Sequence, residues 1–135
     1  MARIMAVDYG DVRTGVAFSD LTKTIAGEAL VITERNQTAL CAKLLELARS
    51  REVDTIVLGY PLNMDDTKNA RTEKVEKLER LLKRSTAYSV VHFDERLTTV
   101  DAYAILRQNG KSAKKGRATV DALAASLILE GYLNM

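Results

Sequence analysis

Three acidic residues stand at positions where a folded core does not normally place a charge. Asp8 ends the apolar run that begins at Ile4, Glu95 follows a second apolar run, and Asp121 lies near the start of a segment with helical spacing. Clustered carboxylates repel one another and lose hydration, so they need a cation or a shared proton. Oxygen-only ligands suit Mg²⁺ or Mn²⁺, and metals held in this way can orient water and stabilise a leaving oxygen in phosphodiester hydrolysis. If the fold brings them together, Asp8, Glu95 and Asp121 are candidate catalytic residues and candidate metal ligands.

Each of these acids also has an ordinary structural explanation. Asp8 could shape the turn that follows it, and Asp121 could be a favourable charge in the first turn of a helix. Glu95 could pair with Arg96 or lie in solvent. Asp94 is an alternative to Glu95, because the register of the preceding strand is uncertain by one residue. Only the joint placement of the three acids favours a site.

Basic residues that could contact a nucleic-acid backbone are densest in one segment, residues 111–117. We expect a basic loop here, directly before the helix that carries Asp121, so it could bind phosphates beside the site. A solvated surface loop is the alternative explanation. Arg13, in the first turn, could contact phosphate or simply be exposed, and Arg96 adjoins Glu95. The candidate nucleic-acid-binding residues are Arg13, Arg96, Lys111, Lys114, Lys115 and Arg117.

The composition is that of an ordinary folded domain. The chain has 135 residues, of which 47% are hydrophobic, so we expect one domain over residues 1–135. The net charge of +2 does not by itself indicate a nucleic-acid partner. A single cysteine, Cys41, excludes an internal disulfide and a CxxC metal site. An early acid and the lack of a long apolar run argue against a signal peptide and a membrane helix, so we expect a cytoplasmic protein without membrane association.

The periodicity of apolar residues predicts the elements that must position the acids. We expect a hairpin-linked trio of strands at 3–8, 14–19 and 25–33, then a helix at 37–50 and a strand at 55–59. A helix at 69–83, a strand at 88–93 and helices at 98–109 and 118–133 follow. Hairpin-linked strands are antiparallel and helix-linked strands are parallel, which predicts an α/β fold with a mixed five-stranded sheet and helices on both faces. Sites in such sheets gather at the carboxyl ends of the parallel strands. The expected core face of the last helix is Val120, Leu123, Ala124, Leu127 and Ile128.

Four segments carry motifs in a recognisable order, and together they span nearly the whole chain. A DxG turn alone is weakly specific, whereas the four in this order are strongly specific. They are Asp8-x-Gly10-x-x-Arg13-x-Gly15-Val16-Ala17-x-Ser19-Asp20; Gly59-x-Pro61 followed by Asn63-Met64-Asp65; Asp94-Glu95-Arg96-Leu97-Thr98-Thr99; and Asp121-x-x-Ala124-Ala125-x-x-Ile128-Leu129-x-x-Tyr132-Leu133. With these motifs the chain resembles the YqgF/RuvX family of pre-16S rRNA nucleases and Holliday junction resolvase-like proteins.

The resemblance implies an RNase H-like fold, catalytic acids at Asp8, Glu95 and Asp121, and trimming of the 5′ end of the 16S rRNA precursor during ribosome maturation. Two departures from the family pattern stand out. Val12 replaces the usual lysine before Arg13, which removes a possible phosphate contact. Residues 66–67, Asp-Thr, replace the usual Gly-Ser, and glycine there would permit a positive φ.

Other functions remain open at this point. Cleavage of structured DNA such as a four-way junction would use the same chemistry, and it would require a symmetric dimer, so both monomer and homodimer are possible. The ATP-binding domains of the actin and sugar-kinase class also use a DxG hairpin, but they need two such domains and no second DxG hairpin follows residue 60. A non-catalytic RNA-binding or ribosome-assembly factor is the third alternative, and the complete acid set argues against it.

Overall fold

Five strands in the order β3-β2-β1-β4-β5 form one sheet at the centre of the protein. The computed structural model describes residues 2–97 and 113–135, with side chains described in the second range from residue 120 onward. The elements are β1 (Arg3–Asp8), β2 (Arg13–Ser19), β3 (Ala26–Thr33), α1 (Gln37–Ser50), β4 (Val53–Tyr60), α2 (Ala70–Ser85), β5 (Ser89–Asp94), a 3₁₀ turn (Glu95–Leu97) and α3 (Ala113–Leu133).

The pairing of the strands confirms the predicted mixed sheet. β1, β2 and β3 are joined in antiparallel fashion, whereas β1 pairs parallel with β4 and β4 parallel with β5. Parallel strands end at the same edge of a sheet, so Asp8, Tyr60 and Asp94 finish side by side. We call this side of the sheet the carboxyl edge. It is also where β2 begins, because Asp8 lies opposite Gly15.

Helices cover both faces of the sheet, as the sequence predicts. α1 and α2 pack on one face, where Leu44 and Leu78 are fully buried. On the other face α3 packs Ile128 and Leu129 against small and branched residues of the central strands. Hydrophobic burial on both faces explains the nearly continuous apolar character of β1 and β4. None of the helices within the described residues is both long and apolar enough to span a lipid bilayer.

The C-terminal helix differs from the prediction in two ways. It begins at Ala113, five residues before the expected start, so Lys114, Lys115 and Arg117 lie in its first turns and not in a loop. Its predicted core face was also wrong at Val120, which is exposed. Ala124, Ala125, Ile128 and Leu129 form the buried face, whereas Leu123 and Leu127 are only half-buried. At roughly 100° per residue the centre of this face, between Ala125 and Ile128, lies about 110° around the axis from Val120. The helix predicted at 98–109, and Lys111, lie outside the described residues.

Candidate active site

The largely buried carboxyl groups of Asp8 and Glu95 meet at the carboxyl edge. Asp8 ends β1, and Glu95 begins the 3₁₀ turn that follows β5, so β4 lies between them in the sheet. The Glu95 side chain crosses β4 over Gly59, where an added Cβ atom would stand only 2.5 Å from Glu95 Oε1. This crossing brings Glu95 into a hydrogen bond with Asp8. It is therefore Glu95, and not Asp94, that joins Asp8.

A hydrogen bond between two carboxyl groups requires a proton on one of them, and here burial favours that proton. Burial raises the pKa of Glu95 to about 8, and the negative charge of Asp8 beside it acts in the same direction. Burial also raises the pKa of Asp8, although the hydrogen bond with Glu95 and the charge of Arg71 act against this. Two acids so close in a desolvated place cannot both ionise without a compensating positive charge.

Asp121 reaches the same edge from the other face of the sheet. Its backbone carbonyl packs on β2, and a Cβ atom added to Gly15 would lie 2.0 Å from that oxygen. Its carboxylate is close enough to Asp8 to raise the pKa of that group. Asp121 Oδ2 accepts a hydrogen bond of 3.1 Å from Nε of Arg13, which is half exposed at the start of β2.

The donor chemistry of this edge fits a hard divalent cation. Asp8 and Glu95 offer buried oxygens that now share a proton, and Asp121 adds a third carboxylate; Mg²⁺ and Mn²⁺ prefer such oxygen ligands. Within the described residues, however, no three acid, histidine or cysteine side chains already stand together as a ligand set. Asp121 is paired with Arg13 instead.

Each guanidinium nitrogen of Arg96 donates to an acceptor of the protein. Its Nε and Nη2 grip the Asp94 carboxylate, with the Nη2–Oδ2 distance at 2.6 Å. Its Nη1 donates to the carbonyl of Asn63 at 3.1 Å and pairs with Asp66 at 2.6 Å. Arg96 therefore ties the end of β5 to the loop after β4, and it fixes the base of the turn that carries Glu95.

The loop after β4 keeps the backbone shape that a glycine would permit. Asp66 has a φ of 70°, a left-handed conformation that aspartate tolerates better than most residues. Asp66 is also one of the partners of Arg96. The departure from the family pattern at this position therefore leaves a positive φ in place and adds an ion pair to it.

Sequence reasoning missed Arg71, which contacts the acidic pair directly. Its Nη2 donates to Asp8 Oδ1 at 2.9 Å and to the carbonyl of Tyr9 at 2.8 Å. The available signal was positional. α2 follows the parallel strand β4, so it begins at the carboxyl edge. Because β4 is next to β1 in the sheet, a cation in the first turn of α2 lies near the end of β1.

The remaining basic candidates precede Asp121 in the sequence. Lys114, Lys115 and Arg117 belong to the first turns of α3, ahead of Asp121 on the same helix. The structure describes their backbone only, and Lys111 lies outside the described residues.

Comparison with known proteins places the chain in a family. The model of the RuvX family, described as "Holliday junction resolvase", matches residues 2–135. A relative from Ruminiclostridium cellulolyticum is 38% identical over 133 residues, which are 98% of this chain and 94% of the relative. One from Syntrophus aciditrophicus is 42% identical over 135 residues, 98% of this chain and 88% of the relative. Both are named "Putative pre-16S rRNA nuclease".

The fold also has a clear counterpart among solved structures. The RuvC protein of T. thermophilus, solved in complex with a Holliday junction substrate, superposes with a TM-score of 0.63 at 14% identity. The match covers 100% of this chain and 96% of the RuvC chain. At this identity the likeness concerns the fold alone, and it confirms the expected RNase H-like architecture. With the matching family model and the two close relatives, it follows that the chain belongs to the RuvX family, with an RNase H-like fold.

Proposed function

We propose that this member of a nuclease family uses a divalent metal ion to hydrolyse phosphodiester bonds, and that its substrate is the 5′ precursor segment of 16S rRNA. The name of its relatives supports precursor 16S rRNA as the substrate, and the choice of the 5′ segment rests on the family resemblance. The observation that carries the metal dependence is the buried contact between Asp8 and Glu95. Such a pair binds either a shared proton or a cation, and an all-oxygen pair is selective for a hard cation.

In this proposal Asp8, Glu95 and Asp121 hold Mg²⁺ or Mn²⁺. When bound, the ion supplies Lewis acidity toward the phosphate and lowers the pKa of water. The surrounding side chains orient the acids and the phosphate relative to the ion. Arg96 keeps the turn of Glu95 in place through Asp94, and the charge of Arg13 can move from Asp121 to a phosphate.

Basic residues outside the acid cluster bind the nucleic-acid backbone in this proposal. We propose that Lys111, Lys114, Lys115 and Arg117 contact the backbone without reading the sequence, because lysine acts on phosphate as a point charge. We also propose that the protein acts in the cytoplasm, as a monomer or a homodimer, on nucleic acid as its partner.

A second candidate is cleavage of four-way DNA junctions. The description of the family model favours it. The acid site would be the same, but two sites would have to face the junction symmetrically, which requires a homodimer. A binding-only role in ribosome assembly is a third candidate, and it predicts no specific affinity of the acids for Mg²⁺.

Cleavage by the purified protein tests these functions against one another. Precursor rRNA and a four-way DNA junction are incubated in parallel with Mg²⁺ or Mn²⁺, and we expect cleavage of the RNA. Asp8→Asn should fold and lose about a thousandfold in rate, or about 4 kcal/mol of transition-state stabilisation, because the amide removes the charge that attracts the cation. The matched control is Asp54→Asn, an exposed aspartate at the start of β4. Cleavage unchanged in Asp8→Asn, with contaminating nucleases excluded, would remove Asp8 from the mechanism.

A further inference from the structure

The first turn of α2 is fixed rigidly to the loop that follows β4. Asn69 and Thr72 form a reciprocal capping box at its start. The Asn69 side chain also donates to the carbonyl of Pro61 at 2.9 Å, and the Thr72 hydroxyl donates to the same oxygen at 3.0 Å. Arg71 lies between these two capping residues. Its backbone is therefore held in a defined place at the carboxyl edge.

Only one of the three guanidinium nitrogens of Arg71 donates a hydrogen bond within the described residues. Both of its hydrogen bonds within the described residues come from Nη2, one to Asp8 and one to the carbonyl of Tyr9. The side chain is 49% exposed, whereas the Asp8 side chain that it contacts is 14% exposed. The guanidinium thus has one end against the acidic pair, while Nε and Nη1 have no hydrogen-bond partner among residues 2–97 and 120–135 and can donate to a ligand.

Arg96 provides an internal comparison. It also binds an aspartate at this edge, but its donors are spent on Asp94, Asp66 and the carbonyl of Asn63, and its side chain is 24% exposed. Arg96 thus shows an arginine whose guanidinium nitrogens all have partners within the protein. Arg71 differs from it in keeping donors and exposed surface directly beside the acids.

We infer that Arg71 binds a non-bridging oxygen of the substrate phosphate that lies against Asp8. This inference rests on the proposed nuclease function. A phosphate brought to two carboxyl groups is repelled by their charge, and a cation fixed beside them offsets that repulsion. The planar guanidinium fork suits two acceptors at once, with the Asp8 carboxylate on one donor and the phosphate on another. Arg71 would then set the distance between phosphate and acid.

Binding of RNA, measured apart from cleavage, tests the contact. The full-length protein is titrated against a labelled RNA over a series of salt concentrations, with Ca²⁺ in place of Mg²⁺, and fluorescence anisotropy gives the affinity. Arg71→Gln should bind about tenfold more weakly, as expected for the loss of a charged hydrogen bond. Its slope of log affinity against log salt should be shallower by roughly 0.7 to 0.9. Arg71→Lys should restore that slope, since it keeps the charge, and only part of the affinity, since it lacks the fork.

The control removes one arginine at the edge of the sheet opposite the carboxyl edge. Arg49 is exposed in the last turn of α1, which ends just before β4 begins. Arg49→Gln should bind RNA like the parent protein, with the same salt slope. This variant separates a local contact from a general loss of positive charge.

Three outcomes would count against the inference. If Arg71→Gln keeps the affinity and the salt slope of the parent, the phosphate contact is excluded, even if cleavage is lost, because Arg71 then acts only through Asp8. A slope that Arg71→Lys does not restore would also overturn it. If the parent protein binds neither RNA nor a DNA junction, the inference and the proposed function fall together. A parent that binds RNA with an Arg71-dependent slope but cleaves nothing overturns the proposed function alone.

Discussion

Single residues decide the electrostatics of this site, and Glu95 is the most informative of them. Burial and the neighbouring Asp8 raise its pKa to about 8 from an ordinary value of 4.5. Between these two pH values the folded protein holds a proton that the unfolded chain releases. Raising the pH through this window therefore favours unfolding. The stability contributed by this proton is fully lost above the pKa of the folded state, because Glu95 is then ionised in both the folded and the unfolded protein.

The variant Glu95→Gln tests this at the residue level. Without divalent metal, we expect the free energy of unfolding of the parent protein to fall between pH 5 and pH 8.5 by on the order of 4 kcal/mol. The free energy of unfolding of Glu95→Gln should fall less over this pH range, because the amide stays neutral throughout. Urea unfolding at several pH values in a chelating buffer measures the difference.

Glu46→Gln is the matched control, since Glu46 is an exposed glutamate on α1. It should follow the pH profile of the parent. If Glu95→Gln also follows that profile, the Glu95 carboxyl does not carry the raised pKa.

At the scale of elements, two glycines allow helix, turn and strand to approach closely enough to form the site. Gly15 lets the backbone of α3 rest on β2 at Asp121, and Gly59 lets the Glu95 side chain cross β4. The two contacts differ in what opposes a larger residue. At Gly15 the obstacle is backbone, whereas at Gly59 it is the ends of the Glu95 and Ile128 side chains. Backbone cannot rotate away, so Gly15 is the stricter position.

A single methyl group at Gly15 should therefore displace the helix that carries Asp121. We expect Gly15→Ala to destabilise the protein by about 1 to 3 kcal/mol, the usual cost of overpacking, and to lower cleavage more than stability alone explains. Gly27→Ala is the control, because a Cβ there makes only an ordinary contact of 3.4 Å. Thermal unfolding and cleavage rates are compared for both. Equal behaviour of the two variants would show that α3 does not depend on close approach at β2.

At the scale of the whole molecule, the carboxyl edge gathers side chains from widely separated parts of the chain. Asp8 comes from β1, Arg71 from α2, Glu95 from the turn after β5 and Asp121 from α3. Such a site exists only in the folded state. A ligand that binds there must stabilise the whole fold by mass action.

Divalent metal should accordingly raise the melting temperature. At a Mg²⁺ or Mn²⁺ concentration ten times its Kd, the gain is about 1.4 kcal/mol, or roughly 4 °C for a domain of this size. The gain should be larger at pH 8.5 than at pH 6, because the ion competes with the proton shared by Asp8 and Glu95. A thermal shift assay measures it. Asp8→Asn should abolish the gain and Asp54→Asn should keep it; an equal gain in both would point to metal binding elsewhere.

The sequence by itself determined the elements and the places of the acids along them. Apolar runs mark β1 and β4 because strands buried on both faces are continuously hydrophobic. The order of hairpins and helices then dictates the mixed sheet, and Asp8 is an edge residue simply because it ends a strand. Motif order added the family. These features are local, or they follow from connection rules, and a single chain displays them without any knowledge of its contacts.

The tertiary structure alone decided which side chains meet. The choice of Glu95 over Asp94 depends on where the turn after β5 directs each side chain, and a one-residue shift reverses that direction. Arg71 contacts Asp8 across 63 positions of the sequence, and the partners of Arg96 lie on another loop. The exposure of Val120 likewise depends on how α3 crosses the sheet. Periodicity describes one element at a time, whereas these contacts arise from the packing of several elements, and so only the folded chain reveals them.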